Sequence, residues 1–193
     1  MPDGSLRLYN NGTNSFIQVS SLATGQWDTW SSDAVANGRA ALVGAAGMVQ
    51  PATNGAPLVQ VDGTNRSYQV RDFDQTTQEH ADFEFPLPGN YDGGNITVYF
   101  GWTAASGAGT VAWELNVASL GNSDVMDSAL TDVGSATDTL ISTAGLLHIT
   151  SMTWSTSLPT AGELVTARVS RDVANDTLTA DARLSFVLMS WVV

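Results

Sequence analysis

The sequence predicts an all-β protein, an antiparallel β-sandwich of jelly-roll-like type with an N-terminal β-hairpin arm. Three observations predict this fold. Apolar residues recur with period two in several segments, Gly- and Pro-containing turns separate these segments about every ten residues, and helix signals are few. The 193 residues suffice for one domain with a substantial core. We expect residues 1–56 to form the arm and a linker, and residues 57–193 to form the sandwich.

The arm is predicted from two short apolar segments, Leu6–Tyr9 and Phe16–Val19, which flank a Gly-containing turn at residues 10–14. Trp27 and Trp30 follow in a polar stretch that shows no strand pattern. Because an isolated two-stranded hairpin is marginally stable in water, this region needs a packing partner.

Residues 34–49 are rich in Ala, but three glycines would weaken any helix there. Residues 51–57 begin and end with Pro and are predicted to form the linker. Two short strands are expected next, at residues 58–61 and 67–73, joined by a turn. Phe83, Phe85 and Leu87 define a further strand, and Pro86 and Pro88 either end it or place it at a sheet edge.

The clearest alternation lies in residues 96–102 and 111–117, and the short turn between them predicts a hairpin. The alternation continues at residues 146–154, 164–169 and 184–191, whereas residues 124–130 could form one helical turn. Inward-facing positions of these strands predict the core residues Phe83, Phe85, Ile96, Val98, Phe100, Trp102, Val111, Trp113, Leu115, Val117, Val165, Val169, Leu184, Phe186 and Leu188.

Composition excludes several classes of protein. Seven Arg and no Lys stand against nineteen Asp and Glu, and the net charge of −12 would repel nucleic acid. Without Lys there is no Schiff-base lysine, and without Cys there are no disulfides or thiolate sites. The longest apolar run, residues 40–49, is about half of a membrane span, so we expect no membrane association. Residues 1–4 lack a basic region, so we expect no signal peptide and synthesis in the cytoplasm.

Few residues suggest catalysis. His80 could join Glu79 and Asp82 at a metal, but a solvated strand edge accounts better for this cluster. His148 is expected to be a hydrogen-bonded core or rim residue. Glu114 is the best single candidate for a glycosidase carboxylate, but no second carboxylate recurs with it at strand spacing. No hydrolase motif is present, so we expect no enzyme and no catalytic metal.

The sequence leaves calcium binding and the role of two tryptophans undecided. Calcium is the one ion for which the sequence offers many ligands, although Asp in turns more often caps backbone groups. The possible calcium ligands are Asp72, Asp74, Asp92, Asp124 and Asp127. Three tryptophans, Trp102, Trp113 and Trp154, lie on apolar strand faces and are expected in the core. Trp27 and Trp30 could instead stack on sugar, anchor a protein contact, or pack against the chain's own sandwich.

Two segments carry recognisable motifs. Residues 98–107 read VYFGWTAASG and precede a Trp-containing strand at Trp113, and residues 170–184 read SRDVANDTLTADARL. These segments resemble a widespread family of virion proteins from tailed bacteriophages, in which a strand that ends in Y-W-T-A-x-S-G precedes a Trp-containing strand and S-R-D-x-x-x-D-T-L-x-x-D-A-R-L comes near the end. The resemblance covers about Tyr68 to Leu188 and implies an all-β particle component without catalytic residues, on the capsid surface or in the tail.

Three functions follow from these observations. The first is a capsid decoration, or cement, protein on the outer surface of the virion capsid, assembled in the host cytoplasm and binding the major capsid protein. The second is a tail or fibre component that binds host surface glycan, and the third, least favoured, is a glycan hydrolase. The compact, acidic chain without repeats favours the first reading over a long fibre.

The arm is expected to attach the protein to its partners. Its apolar residues would bury against the major capsid protein or against sister copies in a dimer or trimer, and a standard interface removes about 800 Å² from each partner. The candidate contact residues are Leu6, Leu8, Phe16, Ile17, Val19, Trp27 and Trp30.

Overall fold

The computed structural model describes residues 6–10, 15–20, 27–31, 38–141 and 143–193, with side chains from Arg39 onward. The described chain is all-β, and its two larger sheets form an antiparallel sandwich, as predicted. The described residues form thirteen strands in chain order: β1 (Leu6–Asn10), β2 (Ser15–Ser20), β3 (Trp27–Ser31), β4 (Gly38–Gly44), β5 (Leu58–Asp62), β6 (Ser67–Phe73), β7 (His80–Pro86), β8 (Ile96–Thr103), β9 (Thr110–Leu120), β10 (Thr131–Thr139), β11 (His148–Trp154), β12 (Leu164–Arg171) and β13 (Ala182–Val192).

The chain divides into two compact units, Met1–Arg39 with Val192–Val193, and Ala40–Trp191. In the first unit, β1 and β2 form the predicted antiparallel hairpin, and β3 adds a third strand to β2. The polar stretch with Trp27 and Trp30 is therefore a strand, which its lack of alternation concealed.

The second unit contains the sandwich. One sheet has four strands in the order β10-β9-β12-β7, and the other has six, in the order β11-β8-β13-β6-β5 with β4 paired to β13. The two short strands predicted at residues 58–61 and 67–73 are present as β5 and β6 and pair antiparallel. The strand β7 ends at Pro86 and also lies at a sheet edge, so both of the alternatives that its prolines left open are met. The strand β10 was missed because its sequence, TDVGSATDT, carries few apolar residues.

The hairpin predicted for β8 and β9 is wrong. These strands belong to different sheets, and the turn between them crosses from one sheet to the other. They face each other across the core, where Trp113 of β9 packs on Phe100 and Trp102 of β8 with ring centroids 6.3 and 6.4 Å apart. Phe73 adds an edge-to-face contact with Trp113 at 5.1 Å.

The predicted core residues are buried, except for Phe186 and Leu188, which are half-buried. A register shift between Leu184 and Phe186 inserts an irregularity in β13, so Val187, Met189 and Trp191 point inward instead. Because strand side chains alternate with period two, one extra residue moves every later residue to the other face.

Two sequence predictions outside the strands also need correction. Residues 124–130 form no helical turn but an irregular loop between β9 and β10. Residues 38–44, expected at most as a weak helix, form the strand β4, and Ala45–Gly47 form a short 3-10 turn.

Buried Arg71 fixes the segment that follows β4. Its guanidinium donates to the carbonyl oxygens of Ala45 at 3.0 Å and Ala56 at 3.2 Å, and also to the carbonyl oxygen of Met48. Burial lowers the pKa of this guanidinium. Within the expected linker, residues 51–57, Ala56 is fully buried and its carbonyl is held by Arg71, whereas most of the other residues are exposed. The expected domain boundary at residue 57 stays a prediction.

Candidate functional site

A groove of about 970 Å³ lies on the outer face of the four-stranded sheet. In β7, Ala81, Phe83 and Phe85 are buried in the core, so the alternating residues His80, Asp82 and Glu84 point outward. The neighbouring strands place their own polar residues beside these side chains: Thr166, Arg168 and Ser170 from β12, and Glu114 and Asn116 from β9.

The strand register arranges these residues in rows across the sheet. Arg168 is paired with Asp82 on one side and with Asn116 on the other. Ser170 is likewise paired with His80 and Glu114. Directly opposite residues of antiparallel strands lie close enough to interact, so the floor of the groove is a continuous polar surface.

Arg168 and Asp82 form a bidentate ion pair at the centre of this floor. The Nε and Nη2 groups of Arg168 donate to the two carboxylate oxygens of Asp82 at 2.7 and 2.8 Å. The hydrogen bonds that Arg168 donates to Asp82 raise the pKa of the arginine. Both side chains are about one-third exposed, so the pair faces the groove and is partly solvated.

His80 forms the second pair. Its Nδ1 lies 2.8 Å from the hydroxyl oxygen of Ser170, whose exposure is only 1%. Burial lowers the pKa of His80, and the positive charge of Arg168 lowers it further, against the opposing effects of Asp82 and Glu114. His80 is therefore neutral at neutral pH.

Three further polar side chains complete the floor. Asn116 donates to Glu114 at 2.6 Å, while Glu84 and Thr166 lie in the next row. The groove thus presents both hydrogen-bond donors and acceptors within one open concave surface.

Aliphatic residues line two walls of the groove. Val49 is bound to the backbone of Asp82 by two hydrogen bonds of 2.7 and 2.9 Å, and its side chain is 65% exposed. The 121–130 loop supplies the other wall with Met126, which is 63% exposed, and Asp127. Asp124 accepts from the Gly121 N–H at 2.8 Å and holds the base of this loop.

The structure brings together some of the residues that the sequence singled out. His80, Asp82 and Glu114 all line the groove. Glu114, for which the sequence showed no second carboxylate, therefore has carboxylate neighbours on β7. Arg168 and Asn116 were missed. The polar alternation of β12 is visible in the sequence, but that β12 lies between β7 and β9 is not.

His148 lies elsewhere, in the core beside the β10 edge. Its Nδ1 is 3.4 Å from Asp138, which also accepts from the indole N–H of Trp102 at 3.0 Å. With an exposure of 4%, His148 is a hydrogen-bonded core residue, in keeping with the sequence prediction.

The candidate partner residues of the arm lie in β1, β2 and β3. The backbone register pairs Leu6 with Val19, Leu8 with Ile17, and Ile17 with Trp30. Phe16 and Trp27 also lie in these strands. Their side chains fall outside the part of the chain whose side chains are described, so their contact role stays a prediction.

Several of the aspartates considered for calcium cap turns. Asp74 accepts from the N–H groups of Thr76 and Thr77 and from the Thr76 hydroxyl, and these bonds lower its pKa to about 2. Asp92 accepts from the Gly94 N–H. Among the described residues, no three His, Asp or Glu side chains form a group that could hold a metal ion. Within the same part of the chain, no helix is long and apolar enough to cross a membrane.

The two segments that carry the phage resemblance meet at one end of the sandwich. Thr179 donates its N–H to the Ala108 carbonyl at 2.9 Å, and Thr177 donates to Thr110 at 2.8 Å. The fully buried Arg171 binds Asp176 at 2.9 and 3.0 Å and holds this loop in place. These loop residues therefore serve the architecture and lie outside the groove, whereas Ser170, at the start of the second segment, lines it.

Comparison with known proteins gives structural neighbours alone. No family model matches the sequence, and no curated protein matches it. One similar structure is the C-terminal CBM6 of a laminarinase from Zobellia galactanivorans, with a TM-score of 0.44, 10% identity and coverage of 78% of this chain and 98% of that one. Another is the CBM36-1 domain of a xylanase from the hindgut metagenome of Trinervitermes trinervoides, with a TM-score of 0.47, 8% identity and coverage of 78% and 96%.

A third neighbour is the CBM22-2 xylan-binding domain from Paenibacillus barcinonensis Xyn10C. It has a TM-score of 0.45 and 14% identity, and the match covers 81% of this chain and 92% of that domain. At such identities the likeness is limited to the β-sandwich fold.

Proposed function

We propose that this protein is a non-enzymatic β-sandwich that binds a host surface glycan in the groove of the four-stranded sheet. The observation that carries the proposal is the groove itself, a polar floor of about 970 Å³ between exposed aliphatic walls. Its volume is within the range of small-ligand sites, about 300–1,000 Å³.

The chemistry of the floor matches that of sugar hydroxyl groups. Each hydroxyl donates one hydrogen bond and accepts others, so a glycan needs both kinds of partner at close spacing. Glu84 and Glu114 supply acceptors. Arg168 uses Nε and Nη2 for Asp82, and its Nη1 has no partner among the described residues, so it is available as a donor.

The aliphatic walls of the groove match the apolar faces of a sugar ring. Pyranose rings present C–H faces, and Val49 and Met126 offer exposed aliphatic surface to them. Because Asp82 holds the guanidinium of Arg168 through two hydrogen bonds, the central donor is kept in one orientation, which reduces the entropic cost of binding.

Hydrolysis is not supported by the same residues. Both oxygens of Asp82 are engaged by Arg168, and Glu114 accepts from Asn116. A serine nucleophile would need an accessible hydroxyl and a histidine oriented by a third group. Ser170 is 1% exposed, and no described residue hydrogen-bonds Nε2 of His80.

Virion location is the part of the proposal that rests on the resemblance to phage proteins. A tail or fibre site fits glycan binding, whereas capsid decoration remains the competing hypothesis and rests on the arm. Copies per particle distinguish the two: a dozen or fewer mean the tail, and hundreds mean the capsid. Deleting residues 1–37 removes β1, β2 and β3 but keeps β4 and Val49. This deletion should abolish binding to naked capsids under the capsid hypothesis and leave glycan binding intact under ours.

A glycan array followed by calorimetry tests the binding site. We expect Arg168→Met to weaken binding of any glycan found by about tenfold or more, because a hydrogen bond to a charged donor contributes about 1.5–3 kcal/mol. The matched control is Arg66→Met, which removes an arginine outside the groove and should leave affinity unchanged. Equal loss in both variants, or no glycan bound at all, would contradict the proposal.

A further inference from the structure

The charges that line the groove are unbalanced. Four carboxylates face it, Asp82, Glu84, Glu114 and Asp127, against one guanidinium, that of Arg168. His80 is neutral at neutral pH. The groove therefore carries a net charge of −3, in a chain whose net charge is −12.

The single cation is already neutralised. Both oxygens of Asp82 accept from Arg168 in a bidentate pair, so this pair contributes little net field to a bound ligand. Glu84, Glu114 and Asp127 are left without a cationic partner among the described residues. They come from three different elements, β7, β9 and the 121–130 loop, and so surround the groove rather than cluster at one point.

We propose that the groove selects glycans by charge, preferring sugars with free amino groups and rejecting acidic sugars. This inference rests on the proposed glycan binding and names its substrate class. An ammonium group can donate to these carboxylates and relieve their mutual repulsion. A uronate or phosphate group would instead meet like charge, which costs binding energy and slows association.

Neutral sugars should bind with an affinity between those of amino sugars and acidic sugars. Acetylation of an amino sugar removes the positive charge and leaves the hydroxyl groups unchanged, so it isolates the electrostatic contribution. The comparison is made at a pH below the pKa of the amines, where the free amine is charged and its acetylated form is neutral. The preference for the free amine should shrink at high salt, because the groove is open to solvent.

The test uses three probes of equal length with the full chain: a β-1,4-linked glucosamine oligosaccharide, its fully N-acetylated form, and an oligogalacturonate. We expect the free-amine form to bind about threefold to tenfold more tightly than the acetylated form at low salt, and the uronate not to bind. Glu84→Gln and Glu114→Gln should each reduce this ratio. Glu163→Gln is the matched control, because Glu163 lies outside the groove and its amide could still accept from Thr160.

The outcomes separate this inference from the proposed function. Equal binding of the amine and acetylated forms, or binding of the uronate, overturns charge selection and leaves glycan binding standing. Binding of none of the three overturns charge selection alone. If the glycan array also yields no glycan, both proposals fall, and capture of a hexalysine peptide would then identify a basic peptide as the occupant. A ratio reduced equally by Glu163→Gln would show that overall charge, and not the groove, causes the preference.

Discussion

Arg168 and Arg171 lie three residues apart in β12 and form the same chemical pair in two different surroundings. Each binds an aspartate through two hydrogen bonds, Arg168 to Asp82 and Arg171 to Asp176. The first pair is about one-third exposed on the outer face of the sheet, whereas in the second the arginine is 0% and the aspartate 3% exposed.

Burial decides what each pair can do. Arg171 also donates to the carbonyl oxygens of Phe73, Leu178 and Ala180 at 2.9–3.1 Å, so every part of its guanidinium is committed to the fold. Arg168 keeps Nη1 free among the described residues and faces a groove. A buried ion pair is costly to break, whereas an exposed one contributes little to stability and remains available to a ligand.

The largest effect is expected from Arg171→Met. It would leave the carboxylate of Asp176 buried without its partner and leave three carbonyl oxygens unpaired, which should lower the free energy of unfolding by about 3–5 kcal/mol. The matched Arg168→Met should cost less than about 1 kcal/mol. Urea unfolding of both variants measures the difference.

If Arg171→Met does not fold, Arg171→Lys keeps the charge but loses the bidentate geometry and should give an intermediate loss. Equal losses for the two methionine variants would show that burial does not separate the two pairs.

A smaller loss in the free energy of unfolding is expected from Gly109→Ala, because Gly109 packs against the loop that Arg171 holds. Gly109 has φ of +112°, and a Cβ there would lie 2.2 Å from the carbonyl oxygen of Thr177, in the loop that Arg171 holds. We expect a loss of about 1–3 kcal/mol. Gly145→Ala is the control, because Gly145 also has positive φ, +77°, but open space around its Cβ position. Its loss should be about 1 kcal/mol, from backbone conformation alone.

Much of the sandwich could be predicted, because its signals are local. Alternation in β6, β7, β8, β9, β12 and β13 reflects one buried face in each strand. The predictions that were wrong concern features that depend on pairing between strands distant in the sequence. A short turn between β8 and β9 fits a hairpin and a crossover equally well, and the irregularity near Phe186 that reverses the phase of β13 has no signature in its own sequence.

The groove could be predicted only in pieces. His80 and Glu114 were noticed as isolated residues, yet they are 34 positions apart in the chain and meet because β12 lies between their strands. Polar alternation on β12 marks an outward face, but nothing in the sequence tells which strands flank it. Conversely, the motif around Arg171 stands out in the sequence although it serves packing rather than binding.

The smallest effect concerns His80, whose pKa lies below its usual value of 6.5 because of burial and of the nearby Arg168. Because the folded-state pKa is depressed, His80 contributes stability that is present above pH 6.5 and is lost as the pH falls through its folded pKa. His80→Gln keeps a hydrogen-bonding partner for Ser170 without titrating. The free energy of unfolding of the wild type should therefore fall by less than about 1 kcal/mol relative to this variant between neutral and mildly acidic pH.

The pKa of His80 itself, measured by NMR, should rise towards 6.5 in Arg168→Met, which removes the neighbouring positive charge and leaves Asp82 unpaired. Arg171 lies on the other face of the sheet, and its charge does not contribute to the lowered pKa of His80. The conservative Arg171→Lys should thus leave the pKa of His80 unchanged. A pKa of 6.5 or more in the wild type, or the same rise in both arginine variants, would mean that the groove does not hold His80 neutral through Arg168.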